Sequence, residues 1–292
     1  MPNAMLEFHN FVKDNPAFRQ FSVDELLFMA YDCPIEVSPF DYCANKNYFC
    51  YITKGSAKWK TPKQEYILKV GDGAFFTKGI HRMFKKLNEE FCALIIFIPN
   101  EFIGSVVKGH LPSDKSKGHL KHTDSVIPLN LDRTLLDYFN SVLNFFSLAS
   151  PPSKDLLGIK FRELIVNIIT QNHNPALTSY FIETSFNDKI PLERVMEKNF
   201  IFNISLKDFA KLSGRSLAKF NRDFSKKFGS SPGKWLKNKR LEYGKYLLET
   251  TDLTINEITI DSGFENTSHF IRVFKEKYKQ PPLKYRRLLQ KE

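Results

Sequence analysis

A chain of 292 residues, 42% hydrophobic and carrying 28 phenylalanines, has apolar material for two ordinary cores. Its formal charge of +11 calls for a polyanionic partner, and that excess is concentrated: the final 88 residues hold 20 Lys and Arg against 10 Asp and Glu. Glu7 and Asp14 interrupt the first fifteen residues and the longest apolar run, Phe91 to Ile98, is far too short to span a bilayer, so neither a secretory leader nor a membrane helix is expected.

Leu6 to Val12 reads as a short helical segment, and from about Ile35 the pattern turns to strands. Tyr48 to Thr53 is rich in β-formers and stops at Lys54-Gly55. Ala57 to Thr61 and Gln64 to Val70 pair across Pro62-Lys63. Gly71-Asp72-Gly73 turns the chain into Ala74 to Thr77, and His81 to Leu87 and Phe91 to Ile98 complete the series. Short strands at this spacing predict an antiparallel barrel or sandwich. The four cysteines, Cys33, Cys43, Cys50 and Cys92, lack a disulfide or Cys-x-x-Cys pattern, as expected of reduced thiols in the cytoplasm.

A metal-dependent or small-molecule cupin enzyme is the competing reading of such a barrel, and it needs clustered histidines and a carboxylate. His81 is the only histidine within the strands. His110, His119 and His122 gather near Asp114 and Asp124 in a segment that reads as a solvated loop. Phosphate-cradling glycine loops and nucleophile elbows are missing from the sequence. No enzyme, cofactor or metal is expected.

After the sheet the period becomes helical. Leu131 to Phe146 marks one helix, ended before Pro151-Pro152, and Leu156 to Ile169 marks a second. Their apolar faces must be buried, either against the sheet or against a second copy of the chain. Residues 173–187 read as a linker, although Ser179 to Thr184 has helical character, and Ile190 to Lys198 as the first helix of a second domain.

The remainder says nearly the same thing twice. Phe220, Phe224 and Phe228 recur fifty positions later as Phe270, Phe274 and Tyr278, and Pro232, Lys234 and Trp235 as Pro282, Lys284 and Tyr285. Asp208-Phe209 and Ser213-Gly214 match Glu257-Ile258 and Ser262-Gly263 at an offset one residue shorter. Each copy reads as a short helix, a glycine turn and a second helix, with Ser205 and Ser216 as N-cap candidates in the first. That is the layout of a helix-turn-helix unit. The aromatic residues at i, i+4 and i+8 point inward. The opposite face is polar and basic: Ala218, Lys219, Asn221 and Arg222, with Ser225 and Lys226, in one copy; Thr267, Ser268, His269 and Arg272, with Lys275, in the other. Arg and Asn can pair bidentately with guanine and adenine, and small residues admit close approach to a thymine methyl. Between the copies, Pro232 to Glu249 predicts one helix, with Ser231 as N-cap and Pro232 at its first position. Trp235, Leu236, Leu241, Leu247 and Leu248 anchor that helix, and Lys237, Lys239 and Arg240 are expected to face outward.

Leu206 to Arg287 resembles the DNA-binding domain of AraC/XylS-type transcription regulators. The resemblance is carried by Leu206 to Gly214, by Phe-Gly-x-x-Pro-x-x-Trp at Phe228 to Trp235, and by Arg-Leu-x-x-x-x-x-Leu-Leu at Arg240 to Leu248. It is strongest in Ile-x-x-Ile-x-x-x-Ser-Gly-Phe-x-x-x-Ser-His-Phe-x-Arg-x-Phe-Lys at Ile255 to Lys275. Thr259 stands where many members have Ala. By position the resemblance implies base-contacting roles for Ala218, Lys219, Asn221 and Arg222, and for Thr267, Ser268, His269 and Arg272. The strand layout, with Gly55 in a hairpin, Val70-Gly71-Asp72-Gly73 and a strand ending at Pro99, is similar to the degenerate cupin-like sensor domain of many such regulators. More faintly, it is similar to that of activators controlling type III secretion.

The expectation is therefore an α+β chain: an N-terminal antiparallel β-barrel or sandwich followed by helices over residues 1–172, a linker over 173–187, and an all-α domain over 188–292 with two helix-turn-helix units joined by a linker helix. Its implied function is sequence-specific transcription regulation, as an activator by family tendency. The implied partners are double-stranded DNA, RNA polymerase, a small-molecule or protein effector at the first domain, and a second copy in a homodimer; no membrane is implied.

Overall fold

The computed structural model describes residues 6–13, 15–34, 38–86, 89–111, 124–186 and 191–289. The chain divides into two compact units, residues 1–188 and 189–292.

The first unit is built on two separate sheets. One holds β1 (Leu6–Glu7), β4 (Phe40–Ala44), β6 (Ser56–Lys60), β7 (Glu65–Lys69) and β9 (Gly79–Lys85) in the order β1-β4-β9-β6-β7. The other holds β2 (Arg19–Val23), β3 (Leu26–Asp32), β5 (Asn47–Lys54), β8 (Gly73–Phe76), β10 (Cys92–Ile98) and β11 (Val126–Pro128) in the order β11-β8-β5-β10-β3-β2. Each sheet keeps its own edge strands, so the barrel-or-sandwich expectation resolves to a sandwich. The helical start predicted at Leu6 begins two residues later: Leu6 and Glu7 pair in parallel with Tyr42 and Cys43, and α1 runs Phe8–Lys13.

The second sheet is covered on both faces, which is why its central strands read as unbroken apolar runs rather than alternating ones. In β5, Tyr48, Cys50 and Ile52 face the first sheet, while Phe49 and Tyr51 face helices. In β10, Ala93, Ile95 and Phe97 face the sheet, and Leu94, Ile96 and Ile98 the helices. The helical layer is α2 (Asn100–His110), α3 (Arg133–Phe145), α4 (Lys154–Thr170) and α5 (Pro175–Phe186). Phe161 of α4 stacks on Phe28 with centroids 3.9 Å apart, and Phe139 of α3 stacks on Tyr51 at 4.8 Å. The apolar faces of α3 and α4 are thus spent on the sheet.

The stretch read as a linker is instead mostly α5. Leu177, Tyr180, Phe181 and Ile182 are buried with the other helices and β5. Its interspersed Thr and Ser disguise the pattern: Ser185 Oγ and Thr184 Oγ1 donate back to carbonyls one turn earlier, which satisfies the hydroxyls inside a packed helix.

Between the sheets the space is filled by aromatic rings. Tyr42 and Tyr48 share a 2.6 Å hydrogen bond between hydroxyls, and Trp59 Nε1 donates to Tyr42 at 2.9 Å. A residual void of about 20 Å³ remains among Phe8, Tyr31, Tyr42, Tyr48, Cys50 and Trp59. Burial drives the Tyr42, Tyr48 and Cys50 pKa values upward, so all three stay protonated, as their apolar setting requires.

The second unit is all helix: α6 (Leu192–Asn199), α7 (Leu206–Leu212), α8 (Leu217–Phe228), α9 (Pro232–Thr250), α10 (Ile255–Asp261), α11 (Thr267–Tyr278) and α12 (Pro282–Leu289).

Candidate nucleic-acid interface

The repeated sequence folds into repeated geometry. Helices α7 and α10 both open on capping boxes: Ser205 with Asp208, and Thr254 with Glu257. In each, the cap hydroxyl accepts from the third helical N–H while the carboxylate accepts from the cap N–H, satisfying two orphan donors. Both end at a serine, Ser213 or Ser262, followed by a glycine with positive φ. The longer helices then start from Ser216 and Asn266, whose side chains accept from Lys219 N and His269 N, and finish on left-handed residues Gly229 (φ 65°) and Lys279 (φ 66°). Thr259, the departure from the family pattern, is buried and donates its hydroxyl to the Ile255 carbonyl at 2.7 Å.

The rings behind α8 and α11 decide which face is left for a partner. Phe220 and Phe224 are fully buried, and Trp235 of α9 lies about one ring away from Phe224 and Phe228, at 6.1 and 6.0 Å. Phe270 and Phe274 are equally buried, with Tyr285 of α12 at 5.7 Å from Phe274 and 6.2 Å from Tyr278. Because these residues recur at i and i+4, the same stripe of each helix is committed inward.

The opposite stripe carries the residues singled out from sequence. Ala218, Lys219 and Arg222 are exposed on α8, as are Ser268, His269 and Arg272 on α11. Two of the eight are less available. Asn221 is half-buried, and its Oδ1 is enclosed without a hydrogen-bond partner among the described residues. Thr267 is half-buried and gives its hydroxyl to Asn256 Oδ1 at 2.9 Å. Sequence reasoning passed over Leu217 and Ile271, which are 41% and 37% exposed on the two long helices. It also passed over Glu276, whose carboxylate lies 2.9 Å from Arg272 Nη1; the i, i+4 spacing was the available signal.

The role expected for Arg240 is corrected. It is half-buried on α9, where Nε donates to the Phe200 carbonyl at 2.7 Å and Nη2 to the Phe202 carbonyl at 2.8 Å. Desolvation lowers its pKa from the ordinary arginine value. Sequence periodicity cannot show this, because the two carbonyls belong to the segment leading into α7, forty residues earlier. Arg286 of α12 treats the lead-in to α10 similarly, donating to the carbonyls of Leu248, Thr251 and Leu253. The planar guanidinium fork suits it to several carbonyls at once.

Arg240 also stands where the two helix-turn-helix units meet. A Cβ on Gly263, whose φ is +87°, would lie 2.7 Å from the Ile201 carbonyl oxygen and 2.9 Å from Arg240 Nε. The turn of the second unit therefore rests directly on the lead-in of the first. Asn203 further hydrogen-bonds Glu265, and Lys277 of α11 pairs with Glu242 of α9 at 3.0 Å. Lys239, also expected outward, is half-buried and pairs with Glu197 of α6 at 2.9 Å.

Two family descriptions match the chain: the ExsA N-terminal regulatory domain over residues 47–180, and a helix-turn-helix domain over residues 209–288. The chain belongs to the AraC/XylS-type transcription regulators. Similar members of this regulator group include the virulence regulon transcriptional activator VirF of Yersinia enterocolitica, 22% identical over 229 residues, covering 78% of this chain and 84% of the relative. The HTH-type transcriptional regulator ExsA of Pseudomonas aeruginosa is 23% identical over 259 residues, covering 87% and 91%. A crystal structure of ToxT from Vibrio cholerae aligns over 92% of this chain and 99% of its own at 18% identity, with a TM-score of 0.40.

VirF and ExsA are both described as transcription regulators. Among the described residues no group of three or more His, Cys, Asp or Glu is placed to hold a metal. His81 is buried and donates Nε2 to the Thr77 carbonyl at 2.9 Å. Asp114, His119 and His122 lie outside the described residues. No described helix is long and apolar enough to cross a membrane.

Proposed function

We propose that this regulator binds double-stranded DNA sequence-specifically by laying α8 and α11 into successive major grooves, and that it activates transcription. One observation carries the reading: two helices with matched aromatic backs each expose a polar face with an arginine, Arg222 or Arg272, at the equivalent position, and one continuous helix joins them. At 19 residues, α9 is about 28 Å long, against about 34–36 Å between grooves on one face of a duplex. The thickness of the two units supplies the difference.

In this mechanism Arg222 and Arg272 read base edges, assisted by Ala218, Lys219 and Asn221 in the first helix and Thr267, Ser268 and His269 in the second. The enclosed Oδ1 of Asn221 and the occupied hydroxyl of Thr267 give these two a rotamer change to make before they touch a base. Arg240 and the Gly263 contact hold the heads at a fixed separation, so the ordering cost is met before DNA arrives. Activation follows the description of VirF as a transcriptional activator and makes RNA polymerase a partner in the cytoplasm. The first unit acts as the sensor and homodimerisation domain; with its sheet interior filled by rings, an effector would act on its outer surfaces.

The test is a binding profile over duplexes recovered by genome-wide mapping of occupied sites. Affinity should fall steeply with salt, since each neutralised phosphate releases counterions. Arg222→Ala and Arg272→Ala should each relax preference at one base step by about 1–3 kcal/mol. Equal weakening on every sequence would assign both arginines to phosphates instead.

A further inference from the structure

The repeat pairs Arg222 with Arg272, but their surroundings differ. Arg272 Nη1 lies 2.9 Å from Glu276 Oε1, one helical turn on, and the side chains are 65% and 57% exposed. At the position equivalent to Glu276 the first reading helix has Lys226, and Arg222 has no ion-pair partner among the described residues. Its neighbour Asp223 is turned to Arg215. The preceding position also differs, with exposed Ile271 where the first helix has half-buried Asn221.

Glu276 stands in an unfavourable place on two counts. It is in the last turn of α11, where the helix dipole disfavours an anion, and on the face offered to a polyanion, where it opposes binding of any duplex. Exposed i, i+4 pairs contribute little to stability, least of all with the acid on the C-terminal side. Holding Arg272 is what this geometry leaves for it.

We propose that Glu276 is a positioning residue for Arg272: by occupying one edge of the guanidinium it keeps the arginine off neighbouring phosphates and aims the free edge at a base. The two heads then divide the work. The first, with Lys219, Arg222 and Lys226, joins stronger phosphate anchoring to its base reading, and the second discriminates more sharply, with Ile271 adding an apolar contact suited to a thymine methyl. The inference rests on the DNA-reading function proposed above.

The test uses the full chain in fluorescence-anisotropy titrations at several salt concentrations. The duplexes are an operator from the genomic mapping, the same operator changed at the base step that Arg272→Ala relaxes, and a random sequence. Glu276→Gln should tighten binding to the random duplex and steepen its salt slope by about one unit, as a freed Arg272 finds a phosphate. Discrimination at the Arg272 step should fall on the order of tenfold, with the melting temperature unchanged or raised. Lys226→Glu should do the reverse at the Arg222 step. Discrimination that survives Glu276→Gln, whatever happens to affinity, overturns the positioning role and leaves Glu276 a plain repulsive charge. A lowered melting temperature with unaltered preference overturns it in favour of a structural role. Wild-type protein unable to tell the operator from the random duplex brings down the DNA-reading function itself, a failure distinct from the other two.

Discussion

The two helix-turn-helix units are one frame carrying two surfaces. Their framework positions correspond almost residue for residue: buried Phe220 with Phe270 and Phe224 with Phe274, half-buried Trp235 with Tyr285, and one capping box with the other. The positions toward solvent do not: half-buried Asn221 is replaced by exposed Ile271, Lys226 by Glu276, and Lys219 by His269. Close packing punishes change at the first set, because a lost methylene leaves a void. At the second set solvent accepts any polar side chain, so each head is free to acquire its own specificity.

The largest test of that shared frame is Phe224→Ala beside Phe274→Ala. Both rings are fully buried, and each truncation should cost about 3–5 kcal/mol, read from chemical denaturation of the second unit. A wide gap between the two would break the equivalence.

Next come the arginine clamps. Arg240→Met should expose an unmet need at the carbonyls of Phe200 and Phe202 and cost about 1–3 kcal/mol for each, with Arg240→Lys recovering only part because the fork is lost. Arg286→Met should destabilise similarly. Only the Arg240 change should also weaken a two-groove site more than an isolated half-site, since only Arg240 lies at the contact between the units. Equal loss on both kinds of site would separate Arg240 from spacing.

The smallest effect sharpens the comparison where the frame itself departs from symmetry. Gly229 and Lys279 end α8 and α11 with the same left-handed backbone, yet only glycine adopts it without steric cost. Lys279→Gly should therefore stabilise by about 1 kcal/mol and Gly229→Lys should destabilise by about as much. Thermal melts of the two variants moving in the same direction would refute that account.

Much of the second unit was legible because local rules and tertiary packing agree there. Caps, glycine turns and the fifty-residue echo of aromatic residues fall in helices whose hydrogen bonds close within a few positions. The first unit was less legible. Strands β2 (Arg19–Val23) and β3 (Leu26–Asp32) lie before the stretch whose pattern reads as strands, and α2 has no counterpart in the reading. Strand pairing such as that of β3 with β10 joins residues such as Leu27 and Phe97 across the whole β4–β9 segment, and a doubly covered strand has no alternation to display. Residues 173–187 read as a linker with helical character only over Ser179 to Thr184, because Ser and Thr interrupt the apolar face that Leu177, Tyr180, Phe181 and Ile182 give α5.

From the order of residues alone came the two-domain α+β plan, the duplicated helix-turn-helix units, the family resemblance and the outward faces of α8 and α11. The plan, the repeated units and the outward faces follow from periodicity, capping and charge, and the resemblance from the motif residues between Leu206 and Arg287. Tertiary structure alone decided that the barrel-like region is a sandwich with a doubly buried sheet, that Arg240 points inward to bind a distant loop, and that Gly263 seats one unit against the other. Each depends on groups far apart in the chain meeting across a packed interface, and side-chain identity at one position carries no record of the backbone carbonyl it will meet.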